Sequence, residues 1–374
     1  MARPRIGFLG PAPLTNGYTA AGRFLRHLTG LHDPWPAVIQ IPLPSHPEIV
    51  RAITSDQIDY GIIAVENTLD GIIIESIREL ERLFESDPPL RPWVCWEELL
   101  AIRHLLINRS GRLGDIRRIA THPSAQRQCS RFLHALQQAL GASLEITPVK
   151  STGDGARMAA EEPHVAALAS QEAMQAFAGA LRTVDLSGRV EGRLIWQDLE
   201  TLTDFRNGLT RFWVLSTKTM PGVPASRVSI PIHDPRGNIS GTEDHHLQKT
   251  CFLLNLPDQP GFMHRALGAF ASREINVAAV YPYPRLERSF EYLYFVEIEG
   301  HGDDPLVVEA QQQVNEGMTH LPLHQRACIR LGSYPNTTFL HRHPALGTSF
   351  LPRAAAALRS THRWNQAPSI TAAH

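Results

Sequence analysis

The stretch Ile116–Leu140, IRRIATHPSAQRQCSRFLHALQQAL, decides the fold class. A strand-like run, Ile116–Ala120, meets a polar turn at Thr121-His122-Pro123. Beyond it Cys129, Phe132, Leu133, Leu136 and Leu140 recur at helical spacing on one face. Pro123 suits the first helical turn, where its missing N–H costs nothing. The same strand–turn–helix grammar repeats along the chain. Ile6–Leu9 leads through Gly10-Pro11 to a helical pattern over Thr19–Leu28. Tyr60–Val65 leads through Glu66-Asn67-Thr68 to a helix over Ile74–Leu83, and Val165–Leu168 leads to Ser170 and a further helix. Strands alternating with helices predict an α/β architecture with largely parallel sheets.

The grammar stops near Ser216. Residues 217–247 are rich in Pro, Gly, Ser and His and read as a linker with one short strand at Val228–Ile232. A second unit spans 248–335. Its strands are Thr250–Leu256, Asn276–Tyr281, Phe290–Ile298 and Ala327–Leu331; its helices follow Pro260-Gly261 and cover Leu306–Met318. This β-α-β-β-α-β order is ferredoxin-like. Residues 336–374 show no convincing pattern beyond a short Ala-rich stretch, so the expectation is a mobile tail.

Composition narrows the class. The chain has 374 residues, a formal net charge of −1 and scattered Lys and Arg, so no basic stripe points to nucleic acid. No apolar run reaches the roughly 18 residues a membrane helix needs. The N-terminus enters a strand-like segment without the apolar core of a secretory signal, and the expected location is cytoplasmic. Cys95, Cys129, Cys251 and Cys328 lie far apart, which fits reduced thiols better than a disulfide frame or zinc site. No metal or cofactor is expected: no Walker loop, dinucleotide fingerprint, Ser-His-Asp order or zinc spacing is present.

Four junctions carry small polar residues: Thr15-Asn16-Gly17-Tyr18-Thr19, Glu66-Asn67-Thr68, Thr121-His122-Pro123-Ser124 and Ser151-Thr152-Gly153. Each could direct backbone N–H groups at an anion, because helix N-termini leave donors unsatisfied and carry the positive end of the dipole. Ligands of open α/β sheets bind beyond the carboxyl ends of the strands. The plain alternative is structural: Ser, Thr and Asn are the standard helix caps, and Asn67 suits a turn. Spacing alone reaches an α/β enzyme or binding protein for a small acid.

Taken in order, the segments resemble prephenate dehydratase. They are Ile6-Gly-Phe-Leu-Gly-Pro11, Asp59-Tyr-Gly-Ile-Ile-Ala-Val-Glu-Asn-Thr68 with Asp70-Gly71, Thr121-His-Pro-Ser-Ala-Gln-Arg-Gln-Cys129, Lys150-Ser-Thr152, Pro163–Ser170 and Thr210-Arg-Phe212. The resemblance implies two periplasmic-binding-protein-like α/β subdomains forming a cleft over 1–216, plus a C-terminal ferredoxin-like ACT domain over 248–335. It implies loss of water and CO2 from prephenate to give phenylpyruvate in phenylalanine biosynthesis. Thr210 would donate a hydrogen bond to the leaving hydroxyl, with Arg211 in support. Thr19, Asn67, Thr121, Gln128, Ser151 and Thr152 would bind substrate. On a regular strand Thr210 and Arg211 face opposite ways, so Arg211 should anchor the scaffold if Thr210 faces the cleft. ACT units commonly pair, which implies a homodimer or homotetramer. Prephenate decarboxylase, arogenate dehydratase and a non-catalytic small-acid sensor are the alternatives on this scaffold.

The sequence departs from the family pattern in places. The first loop, Gly10–Thr19, is longer than usual, and Ser151-Thr152-Gly153-Asp154-Gly155 replaces a Ser/Ala-rich run. In the ACT unit, Gly261-Phe262-Met263 and Tyr281-Pro282-Tyr283-Pro284 stand where amino-acid effector contacts are implied. Two tyrosines in place of a Glu and an Arg predict weak or absent phenylalanine inhibition, or a different effector.

Overall fold

The structure, a computed structural model, describes residues 3–86, 90–140, 144–187, 189–190, 193–194, 196, 202–217, 227–233, 239–285, 290–316 and 327–360. The first lobe runs β1 (Arg5–Leu9), α1 (Asn16–Thr29), β2 (Ile39–Leu43), α2 (His46–Thr54), β3 (Tyr60–Asn67), β4 (Gly71–Ile72), α3 (Ile74–Ser86) and β5 (Trp93–Ala101). The second lobe follows with β6 (Leu105–Asn108), β7 (Arg118–Thr121), α4 (Pro123–Gln128), α5 (Ser130–Leu140), β8 (Glu145–Pro148), α6 (Thr152–Glu161), β9 (Val165–Ala169), α7 (Gln171–Ala176) and β10 (Arg182–Thr183). A small hairpin, β11 (Arg189–Val190) and β12 (Arg193–Leu194), precedes the return strand β13 (Leu209–Ser216). The chain thus crosses between lobes twice, after β5 and before β13.

In the first lobe β1 pairs in parallel with β2 and β3, while β13 inserts antiparallel between β3 and β5. Ile6, Phe8, Ile62 and Ile63 are fully buried, as strands covered by helices on both faces require. One face packs Phe24 and Leu25 of α1; the other packs Ile49 and Ile53 of α2 with Leu80 of α3. The second lobe's sheet has the order β10-β6-β9-β7-β8. Phe132, Leu133 and Leu136 fill one side of it, as their helical spacing predicts. The predicted single helix after Pro123 is broken at Cys129. Asp204 accepts from Ser130 Oγ at 2.7 Å and from Arg131 N–H at 3.1 Å, giving α5 its own start.

The C-terminal unit is β16 (Gln248–Leu254), α8 (Phe262–Ala271), β17 (Val277–Pro284), β18 (Tyr292–Glu299), α9 (Pro305–Val314) and β19 (Cys328–Pro335), the ferredoxin-like order. Its sheet continues into the first lobe: β19 lies parallel to β5, with Gly332 opposite Val94. A Cβ at Gly332 would sit 2.0 Å from the Val94 carbonyl oxygen, so only glycine permits this junction.

Two expectations are corrected. The segment read as a linker contains a hairpin, β14 (Arg227–His233) paired with β15 (Ile239–His246). Val228, Ile230 and Ile232 alternate, but the second strand, ISGTEDHH, carries no apolar alternation and left no trace in the pattern. The tail is also structured to residue 360. It forms α10 (Thr337–Arg342) and α11 (Pro344–Ser360). Asn336 caps α10 by accepting from the Phe339 N–H at 3.2 Å. Phe350, Ala354 and Leu358 are buried in the core shared with α1, and the Arg359 guanidinium donates to the Leu28 carbonyl. An internal Pro352 and a run of alanines blur the period there. Residues 361–374 lie outside the described residues. Among the described residues no helix is long and apolar enough to cross a membrane.

Candidate active site

A cleft of about 290 Å³ lies between the lobes, sized for one small molecule. Its floor is the first-lobe sheet. Thr210 on β13 stands opposite Asn67 on β3, and both side chains reach the cleft. Strand alternation turns their neighbours, Arg211 and Glu66, to the other face, where they form an ion pair. The same alternation puts Phe212 on the cleft wall, and the register shift there leaves Val65 of β3 as the extra residue, so that Ala64 stands opposite Phe212 and also lines the cleft.

Arg211 is therefore an anchor, as alternation predicted, and not the catalytic companion of Thr210 that the resemblance implied: its guanidinium is held on the face away from the cleft. Its Nη1 lies 3.2 Å from Glu97 Oε2 and also bonds Glu297 of the C-terminal unit. Its Nε lies 3.0 Å from Glu66 Oε2, close enough for an ion pair but off-axis for a hydrogen bond. Lys249 Nζ joins Glu97 at 2.9 Å and Glu297 at 3.3 Å, and the Tyr334 hydroxyl donates to Glu297 at 2.9 Å. Burial pushes the Glu297 carboxyl up, but Arg211 and Lys249 outweigh it and hold the pKa at about 2. This buried cluster ties the strand carrying Thr210 to the C-terminal unit.

Helix starts ring the rest of the cleft. Thr15 caps α1 by accepting from the Tyr18 N–H at 3.2 Å. Ser151 caps α6 by accepting from the Asp154 N–H at 3.0 Å, and Thr152 opens that helix into the cleft. Lys150 adds a cation at the rim. Gln128 is 6% exposed; its Nε2 donates to Asp70 Oδ2 at 2.9 Å and its Oε1 lies 2.9 Å from His104 Nε2. Asp70 sits on the first lobe and also takes Arg127 at 3.2 Å and the Ser124 hydroxyl, so it clamps the lobes together. Burial first, then Arg127 in opposition to Asp70, lowers the His122 pKa; burial lowers that of His104.

Asn67, Gln128, Ser151, Thr152 and Thr210 are thus brought together. Thr19 and Thr121 are not. The long first loop delays α1, so Thr15 is the cap and Thr19 lies in the second turn, its hydroxyl on the Thr15 carbonyl at 3.5 Å. Thr121 is fully buried, with its Oγ1 turned to the His122 carbonyl at 3.4 Å. Asn67 plays a turn role as well: its Oδ1 accepts from the Leu69 N–H at 2.9 Å. Ser124 and Lys150, quoted in the junction and resemblance segments without a role, also line the cleft; His46 and His104 do so without having been singled out, because a lone polar residue in an apolar setting leaves no periodic signal.

In the C-terminal unit, Tyr281 and Tyr283 do not face an effector pocket. Tyr281 donates to Glu66 Oε2 at 3.3 Å, and Tyr283 is 2% exposed in the core shared with the first lobe. Met263 instead lines a separate cavity of about 420 Å³ with Asn255, Arg285, Tyr292 and Tyr294. Arg285 donates to Asn255 Oδ1 at 2.5 Å there. Gly261 starts α8 at φ +82°, and the Phe262 ring stacks under Arg265 at 4.2 Å.

A two-lobed α/β cleft with anion-favouring helix starts, joined to a ferredoxin-like unit, defines an enzyme or binding protein for a small acid with an additional C-terminal domain. The family described as "Prephenate dehydratase" matches residues 6–184, and "ACT domain" matches 252–316. The prephenate dehydratase of Mycobacterium tuberculosis (strain H37Rv) is 26% identical over 347 residues, covering 91% of this chain and 90% of that one. A prephenate dehydratase structure in complex with L-Phe from Arthrobacter aurescens superposes with a TM-score of 0.62 at 20% identity, covering 97% and 98% of the two chains. A structure described as GqqA, a novel type of quorum quenching acylase, reaches 0.61 at 22% identity, covering 90% and 99%; at that distance the likeness speaks to the fold alone. Residues 6–184 belong to the prephenate dehydratase family, and residues 252–316 form a C-terminal ACT domain.

Proposed function

We propose that the cleft converts prephenate to phenylpyruvate, water and CO2, with Thr210 as the hydrogen-bond donor to the departing hydroxyl. The carrying observation is that Thr210 and Asn67 are cross-strand partners reaching one small cavity lined by the starts of α1 and α6. The ring carboxylate leaves as CO2, its electron pair enters the ring, and the C–O bond breaks, the departing hydroxyl taking a proton from solvent to leave as water. A threonine hydroxyl is too weak an acid to protonate anything outright. Its effect is a positioned hydrogen bond that strengthens as charge develops on oxygen. The helix starts and Lys150 favour the two substrate carboxylates.

Among the described residues lining the cleft there is no carboxylate, so the ammonium of an amino-acid analogue such as arogenate would find no counter-charge. A donor facing the leaving group argues against simple decarboxylation. Incubation with prephenate checks the reading: phenylpyruvate is the expected product, and a non-aromatic keto acid or unchanged substrate would refute it.

The cavity beside Met263 is the proposed amino-acid effector site, with Arg285 supplying the charge that the two inward-facing tyrosines do not. Titration calorimetry with phenylalanine tests it, and absence of heat would remove this ligand. The β17 edge, paired among the described residues on one side only, by β18, is the proposed dimer contact. Light scattering showing a monomer would exclude it.

A further inference from the structure

His46 is a polar side chain in the cleft to which the dehydratase reading gives no task. It opens α2, is 7% exposed, and lines the cavity together with Asn67, Thr210 and Phe212. Its Nδ1 is buried and has no hydrogen-bond partner among the described residues. The neighbouring Ser45 hydroxyl is already occupied as the helix cap, accepting from the Glu48 N–H at 3.4 Å. Burial lowers the pKa of the ring to about 4, so at pH 7 it is neutral and offers one N–H and one lone pair.

A buried polar atom without a partner costs folding stability, and a leucine of similar size would avoid that cost. A ring that borders a cleft while one of its nitrogens stays unpartnered suits a ligand that draws that nitrogen into a bond. Prephenate carries two carboxylates, a keto group and a hydroxyl, each able to bond a neutral imidazole.

We infer that His46 is a substrate-contacting residue, whose imidazole hydrogen-bonds prephenate from the sheet side of the cleft and sets the substrate's register on the Thr210 hydroxyl. The inference rests on the prephenate reading. Two variants test it against wild type. His46→Leu removes the bond, while His46→Asn places an amide close to where Nδ1 stands. The leucine variant is expected to lose between about tenfold and about a hundredfold in kcat/KM for prephenate. The asparagine variant should stay within about threefold of wild type. The urea midpoint of His46→Leu should equal or exceed that of wild type, since an unpaired buried nitrogen is gone.

A histidine that only supports the fold would give the reverse, a lower midpoint with unchanged kinetics, and that result overturns the proposal. So does a kcat/KM for His46→Leu within about twofold of wild type, or a loss matched by His46→Asn. If wild type forms no phenylpyruvate, the dehydratase reading fails by itself. Calorimetric affinity for prephenate then decides His46: binding about tenfold weaker in the leucine variant supports it, and equal affinity overturns it.

Discussion

At the scale of single residues, Thr210 and Arg211 show how far one pattern reaches. Strand alternation alone separates the residue that meets the cleft from the one that anchors the scaffold, and the ion pairs of Arg211 lie on the far face. Thr19 and Thr121 show where such reading stops. A hydroxyl near a helix start can cap, face inward or face a ligand, and one residue of offset decides which. The long first loop and the glycine at 153 looked like separate departures. They are complementary: a Cβ at Gly153 would sit 2.5 Å from the Leu14 Cβ, so the first loop packs directly on the start of α6. Gly153→Ala should therefore force the lobes apart at this edge and lower kcat/KM by about tenfold. Leu14→Gly in the same chain, which removes the clashing Cβ, should recover part of the loss, a coupling that a double-mutant cycle reads directly. Additive losses would show that the contact does not set the cleft.

At the scale of elements, β13 is the centre of the molecule. It lies between β3 and β5, presents Thr210 to one side and hands Arg211 to a cluster built from two domains. Cross-domain partners such as Glu297 and Lys249 are 86 and 38 residues away along the chain, beyond any local pattern. Glu297 has a folded pKa of about 2 against an ordinary 4.5. A depressed carboxyl stabilises the fold above its unfolded value and loses that contribution as pH falls from 4.5 towards 2. Glu297→Gln should cost about 2–3 kcal/mol at pH 7, because Arg211 loses a buried counter-charge. Its stability should also change less than that of wild type across the acid window. Urea melts at pH 7 and pH 3.5 measure both effects; parallel curves for the two proteins would contradict the assignment.

At the scale of the whole molecule, the order of strands and helices was legible because each apolar run has one period and one turn after it. The two-lobed cleft and the ACT unit follow from that order together with the family resemblance. The hairpin at 227–246 and the last two helices were not legible, since β15 lacks alternation and α11 hides its buried face among alanines. Yet Phe350, Ala354 and Leu358 complete the core over α1. Each fully buried Leu or Phe is worth about 1.5–3 kcal/mol. Truncation after Asn336 should therefore leave a protein that is insoluble or melts well below wild type, and an unchanged melting temperature would show the helices to be dispensable.

A hydroxyl on β13, aimed into a cavity between two lobes, is the feature on which the proposed chemistry turns. Steady-state turnover of prephenate by Thr210→Val beside wild type probes it most directly, with Thr210→Ser as the control that keeps the donor. A loss of about a hundredfold or more in kcat for the valine variant, at an unchanged urea midpoint and with partial activity in the serine variant, is the predicted result. Valine turning over prephenate within about twofold of wild type would contradict it.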